Sequence, residues 1–159
     1  MSPWNVGEGP LGAKAKQPEA PTTLHPGWLP VLERVSLFQA LSKRHLRRVE
    51  HLAELKRFKK ADVIVKAGAK GDAFYVILEG SAEVKTPAVH KHKLGEGDYF
   101  GELALLDGKP RAATVTALDA MATAKITRIA FQKLLKDEPS IGLGLAHGLV
   151  AIVREQQEA

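Results

Sequence analysis

The stretch Phe100-Gly101-Glu102-Leu103-Ala104-Leu105-Leu106-Asp107-Gly108-Lys109-Pro110-Arg111-Ala112-Ala113-Thr114-Val115 decides how the chain is read. Gly101 has no Cβ, so a neighbouring group can approach its backbone closely. Glu102 to Leu106 suits one short helical turn, whose first N–H groups lack intrahelical partners and present donors to an anionic oxygen. Pro110 cannot continue a helix and stiffens the return to an extended segment. Arg111 then sets a guanidinium fork, well matched to phosphate, beside those donors. Glu102 is an acceptor-only carboxylate suited to hydroxyl groups. A phosphate joined to a sugar satisfies both side chains at once.

Outward from this stretch, the chain reads as short strands punctuated by turns. Val63–Val65, Phe74–Leu78, Ala82–Val84, His90–Leu94, Ala112–Leu118 and Ala122–Ile129 are the strand-like runs. Gly68, Gly71-Asp72, Glu79-Gly80, Thr86-Pro87 and Gly95-Glu96-Gly97-Asp98 are the turn signals between them. Turns about every 8–12 residues predict a compact antiparallel β jelly-roll barrel, or double-stranded β-helix. Helical signals flank it. Leu29, Leu32 and Val35 begin one helix, and Ser42 caps another whose apolar stripe is Leu46, Val49 and Leu52. Phe131–Lys136 makes a third. Asp137-Glu138-Pro139-Ser140 breaks it, and a last helix runs to about Gln157. The expected class is α+β, with N-terminal and C-terminal helices around the barrel.

At 159 residues, 45% hydrophobic and 26% charged, the chain has the composition of one globular domain. Met1–Gly27 holds five of the nine prolines and no apolar rhythm, so residues 1–27 are expected to form a flexible arm and residues 28–159 the domain. The absence of cysteine excludes disulfides, thiolate catalysis and cysteine metal sites. Neither a signal peptide nor a long apolar span is evident, which predicts a cytoplasmic protein. No helix-turn-helix unit is expected after the terminal helix, and no DNA-binding domain. The net charge of +5 favours anionic partners without naming one.

The run FGELALLDGKPRAATV resembles the phosphate-binding cassette of cyclic nucleotide-binding domains, such as those of the regulatory subunit of cAMP-dependent protein kinase, the catabolite activator protein and cyclic nucleotide-regulated channels. The resemblance extends upstream through Gly68, Gly71-Asp72, Phe74-Tyr75, Ile77 and Gly80, and covers roughly Leu32 to the C-terminus. It implies that Glu102 accepts from the ribose 2′-hydroxyl and that Arg111 pairs with the exocyclic oxygens of the cyclic phosphate. It further implies that the N–H groups of Ala104 and Ala112 point at the phosphate and that Gly101 and Leu103 line the ribose side. Ala113 and Thr114 complete the implied binding set, with Thr114 facing the same way as Ala112 if the strand is regular. Ala112 stands where cGMP-selective members often carry Thr, which points to cAMP, with cGMP as the second possibility. No cofactor beyond this ligand is implied.

The family's last helix covers the base. Here that segment is Ser140–Gln157, and Leu149, Val150, Val153 or Arg154 are the candidate base lid, set against ordinary packing on the barrel. Gly142, Gly144 and Gly148 weaken this helix by up to about 1 kcal/mol each. They suit either a loosely held lid or the close approach of another helix, including one from a second copy. The implied mechanism is a ligand-linked population shift transmitted through the C-terminal helix to an effector protein. The oligomeric state is left open.

Three other readings are weighed against this one. His90, His92 and Glu96 resemble a cupin metal motif, but Lys91 and Lys93 flank the histidines and would repel a cation, so no metal is expected. Lys43–Lys60 holds eight Lys/Arg against Glu50 and Glu54, which fits an acidic partner or nucleic acid, or simply a solvated helix face and an exposed first strand. Glu102 and Asp107 are placed too far round a short turn to converge as a hydrolase pair, and no nucleophile–base constellation is evident, so a non-enzyme is expected. A ligand-free interaction module of the same fold is the alternative to a nucleotide sensor.

Overall fold

The structure, a computed structural model, describes residues 29–87 and 91–158. The arm expected over residues 1–27 and His90 lie outside the described residues. The described chain opens with α1 (Leu29–Glu33), a 3-10 turn (Ser36–Phe38) and α2 (Lys43–Glu50). Ser42 caps α2 as its sequence predicts, its side chain accepting from the His45 N–H at 3.1 Å.

Eight strands follow: β1 (Glu54–Phe58), β2 (Val63–Val65), β3 (Ala73–Glu79), β4 (Ala82–Lys85), β5 (Lys91–Leu94), β6 (Tyr99–Phe100), β7 (Thr114–Ala117) and β8 (Met121–Thr127). The short α3 (Ala104–Asp107) lies between β6 and β7, and α4 (Arg128–Asp137) and α5 (Pro139–Glu158) end the described chain. All pairings are antiparallel, in two four-stranded sheets ordered β1-β8-β3-β6 and β2-β7-β4-β5. The expected jelly-roll class is therefore present with its flanking helices, but the two sheets are not closed into one barrel.

β3 explains the layering. It is buried almost throughout because both its faces are covered. Phe74, Val76 and Leu78 join the core beneath the helices, with Phe38, Phe131 and Ile141. Ile77 joins the core between the sheets, with Val84, Val115 and Met121. Phe38 meets Phe74 edge-on at 5.8 Å and Phe131 at 6.2 Å, so one aromatic cluster welds the N-terminal turn, the first sheet and α4.

At the α4–α5 junction Glu138 leaves the helical conformation (φ −133, ψ 78) and Pro139 restarts it. The Glu138 carboxylate accepts from Arg44 at 3.0 Å and Arg48 at 2.9 Å, with His45 Nε2 3.4 Å from its other oxygen. Two cations of the basic Lys43–Lys60 segment are thus tied to the junction. Both arginines are substantially exposed, so these bonds set the angle of the junction more than its stability.

The glycines of α5 divide into two kinds. A Cβ on Gly148 would lie 2.6 Å from the Leu37 carbonyl oxygen, and one on Gly144 would lie 2.6 Å from Leu41 Cδ2. Gly142 has nothing within 4 Å. Gly144 and Gly148 therefore allow close approach, but of the chain's own N-terminal turn. Gly142→Ala is expected to stabilise the protein by up to about 1 kcal/mol through helix propensity. Gly148→Ala, the same change against a backbone oxygen, is expected to destabilise it by about 1–3 kcal/mol. Urea denaturation of the pair checks this, and equal effects would refute the packing role of Gly148.

Candidate functional site

The loop between β2 and β3 straps down the segment that enters β7. The Arg111 N–H donates to the Ala69 carbonyl at 2.7 Å, the Gly68 N–H to the Arg111 carbonyl at 2.9 Å, and the Gly71 N–H to the Lys109 carbonyl at 3.1 Å. A Cβ on Gly71 would sit 2.6 Å from the Lys109 oxygen and 2.9 Å from Ala104 Cβ, so only glycine lets the two segments meet.

The strapped backbone aims Arg111 inward, where its Nη2 donates to the Ala73 carbonyl at the start of β3 at 2.6 Å. Gly101 answers from the position just after β6. Its φ of 85° belongs to the left-handed region, and a Cβ there would collide with Arg111 Nη1 and lie 2.8 Å from the Ala73 oxygen. Tyr75, on β3, stacks on Phe100 at 5.2 Å and meets Phe58 edge-on at 6.2 Å.

Gly101, Glu102, Leu103, Ala104, Arg111, Ala112 and Ala113 all line one cavity of about 350 Å³. Sequence reasoning missed Val65, Phe100, Lys109, Pro110 and Val115 in the same wall. Lys109 and Pro110 sit inside the quoted run and were open to the same reasoning. Val65 comes from a different strand, and nothing in the sequence announces its register. Asp107 also lines the cavity. Its Oδ1 accepts the Lys109 N–H at 3.0 Å.

The electrostatics single out two groups. Burial pushes the Glu102 carboxyl above the ordinary carboxylate range, partly offset by its own backbone N–H. Burial likewise lowers the Arg111 guanidinium, opposed by Tyr75 and Asp72. Among the described residues no ion pair joins Glu102 to Arg111, and Arg111 Nε is buried without a hydrogen-bond partner. A carboxylate and a guanidinium, each partly withdrawn from water, thus line one cavity without neutralising each other, which is unfavourable to the ligand-free fold.

Three expected features take other positions. The Ala104 N–H donates to the Gly101 carbonyl at 3.1 Å, inside the turn, instead of pointing freely into the cavity. The N–H groups of Ala112 and Ala113 make no hydrogen bond among the described residues. Thr114 does not line the cavity, because β7 begins only at Thr114 and its hydroxyl accepts the Ala67 N–H at 2.9 Å. None of the lid candidates lines it either. Leu149 packs against the helical core, whereas Val150, Val153 and Arg154 are exposed on α5. No group of metal-ligating side chains occurs among the described residues, and His92 is exposed on β5.

Comparison with known proteins gives the same picture. A family model described as cyclic nucleotide-binding domain matches residues 55–138, more than half of the chain. A cAMP-dependent protein kinase regulatory subunit of Emericella nidulans is 40% identical over 106 residues, covering 65% of this chain and 26% of that protein. One of Mycosarcoma maydis is 39% identical over 110 residues, covering 64% of this chain and 21% of that protein. The chain thus spans about a quarter or less of these relatives. Among solved structures, the N-terminal domain of a transcriptional regulator from Streptomyces coelicolor A3(2) superposes with a TM-score of 0.71 at 28% identity, over 81% of this chain and 96% of that one. The matched span takes in the strap, the whole cavity wall and both unpaired charges, and the chain belongs to the cyclic nucleotide-binding domain family.

Proposed function

We propose that the cavity binds cAMP and that occupancy is passed through α5 to an effector protein. The observation that carries this reading is the pair of half-buried, mutually unpaired charges. A cyclic phosphate gives Arg111 the anion it lacks, and an adjacent ribose gives Glu102 hydroxyl donors. The unengaged N–H groups of Ala112 and Ala113 flank the same space. Ala112 offers no hydroxyl to guanine, which favours adenine, and the names of the two fungal relatives support the same ligand.

The packing supports one route for such a signal. Tyr99, two residues before Gly101, accepts the Ser36 N–H at 3.2 Å, and the same 3-10 turn lies against Gly148 of α5. Movement of the turn containing Glu102 would reach α5 through Tyr99 and Ser36. Cyclic nucleotide shifts the balance of α5 positions only by its difference in affinity for them. The role proposed is sensing without catalysis. A cytoplasmic setting accords with this role, and among the described residues no helix is long and apolar enough to cross a membrane.

Calorimetric titration with cAMP and cGMP in parallel tests the reading. Saturable binding is expected, with cAMP tighter by roughly 10-fold. Arg111→Ala is expected to weaken it about 100-fold, because a charge-assisted contact is lost. A folded protein giving no heat at high micromolar cAMP would reject the proposal.

The raised Glu102 carboxyl adds a check on stability. Because the ligand-free native state holds this proton more tightly than the unfolded chain, the group favours folding at low pH. That contribution is lost as pH rises from the ordinary value near 4 through the raised one. Glu102→Gln is therefore expected to raise the Tm of the ligand-free protein at neutral pH, with the gain vanishing toward about pH 4. The same variant should weaken cAMP by roughly 10-fold or more. Melting curves across pH that show no gain at neutral pH would contradict the assignment of Glu102 as a strained, ligand-facing acid.

A further inference from the structure

A second cavity, of about 310 Å³, lies between α2 and α4 and shares no residue with the first. Its apolar surface comes from Leu52, Ala130 and the buried Leu134. Its polar lining is Arg48, His51 and Lys133, with Asp137 the one carboxylate. Lys133 is exposed and forms no ion pair among the described residues, and Arg48 commits only Nη1 to Glu138, at 2.9 Å. The two helices together carry seven Lys/Arg against Glu50 and Asp137, so the positive field extends beyond the cavity.

We propose that this groove docks an acidic, amphipathic segment of a partner protein. Its apolar side chains would rest on Leu52, Ala130 and Leu134, and its carboxylates would meet Arg48, His51 and Lys133. An aliphatic floor with a cationic rim is the complement of such a segment, and this is the helix-in-groove mode of recognition. A nucleic-acid backbone has no aliphatic groups to cover the floor. An acidic bilayer meets projecting surfaces and would leave a recess unfilled. The surrounding cations would speed encounter and the floor would slow release. A carboxylate on Arg48 would also touch the arginine that fixes Glu138 at the α4–α5 junction, which places the partner where it can sense α5.

The test is fluorescence anisotropy with the full chain and a labelled peptide repeating Glu-Leu-Leu-Glu, which needs no cyclic nucleotide and so stands apart from the cAMP titration. Saturable binding is expected, weakened roughly 10-fold by Lys133→Glu and similarly by His51→Glu. Both positions are exposed, and circular dichroism checks that the variants fold. A matched peptide repeating Lys-Leu-Leu-Lys should not bind. The proposal is overturned if the acidic peptide does not saturate, or if neither substitution weakens it. It is equally overturned if a single-stranded oligonucleotide or phosphatidylserine vesicles bind more tightly than the peptide with the same loss on substitution, since the groove would then belong to a polyanion or a membrane.

Discussion

The site exists because the backbone of residues 109–111 is held by the β2–β3 loop instead of being free to follow its own side chains. Three backbone hydrogen bonds, between Gly68 and Arg111, Ala69 and Arg111, and Gly71 and Lys109, fix where the Arg111 Cα sits. The guanidinium is then committed to the Ala73 carbonyl at 2.6 Å. A looser strap would let Arg111 swing toward the nearest carboxylate and neutralise it, as opposite charges in a poorly hydrated cavity do. The fold instead keeps Arg111 and Glu102 apart and unpaired. Gly71 and Gly101 are the conditions for this, each standing where a Cβ would strike the arginine's own segment or side chain.

Such an arrangement works against stability locally, and the aromatic layer supplies the compensation. Phe38, Phe74 and Phe131 are fully buried, each stabilising the native state by about 1.5–3 kcal/mol relative to exposure. That layer also joins three elements of the fold: the 3-10 turn, the first sheet and α4. The C-terminal helix is attached differently. Its contact with the Ser36–Phe38 turn relies on Gly148, Gly144 meets Ala40 and Leu41 just beyond that turn, and its exposed Leu143, Val150 and Val153 make no contribution to the core. Ile141 and Leu145 anchor the first half of the helix in the core, whereas residues 153–157 are exposed, so the outer part can change position without disrupting the cores.

What was legible in the sequence follows from this division. Wherever one local rule decided the outcome, reading succeeded: Ser42 as a cap, the Asp137–Pro139 break, the continuous apolar run of β3, and the cassette with its glycines. Where the outcome depends on the position of a second segment, reading failed. Thr114 looked like a cavity residue by alternation from Ala112, yet Ala67 captures its hydroxyl and the strand starts too late for the alternation to apply. The Ala104 N–H looked free by helix-end logic, yet a turn this short closes on Gly101. β6 has only two residues, too few to show any period. Apolar character points to Leu149, Val150 and Val153 and a planar guanidinium to Arg154 as lid candidates, but neither property says which face of α5 the N-terminal turn occupies.

The basic segment Lys43–Lys60 shows why composition alone could not assign it. Arg44 and Arg48 face a carboxylate ninety or more residues away in sequence, Glu138, at the break between α4 and α5. Arg48 also lines the α2–α4 groove, beside a lysine contributed by α4. A single run of cations thus divides between an internal brace and an outward face, and Arg48 belongs to both. Electrostatic energy depends on distance and on local dielectric, neither of which is written in the order of residues. A helix that braces the junction on one side and offers cations on the other couples any acidic partner on its outer face to the angle at which α5 leaves the domain.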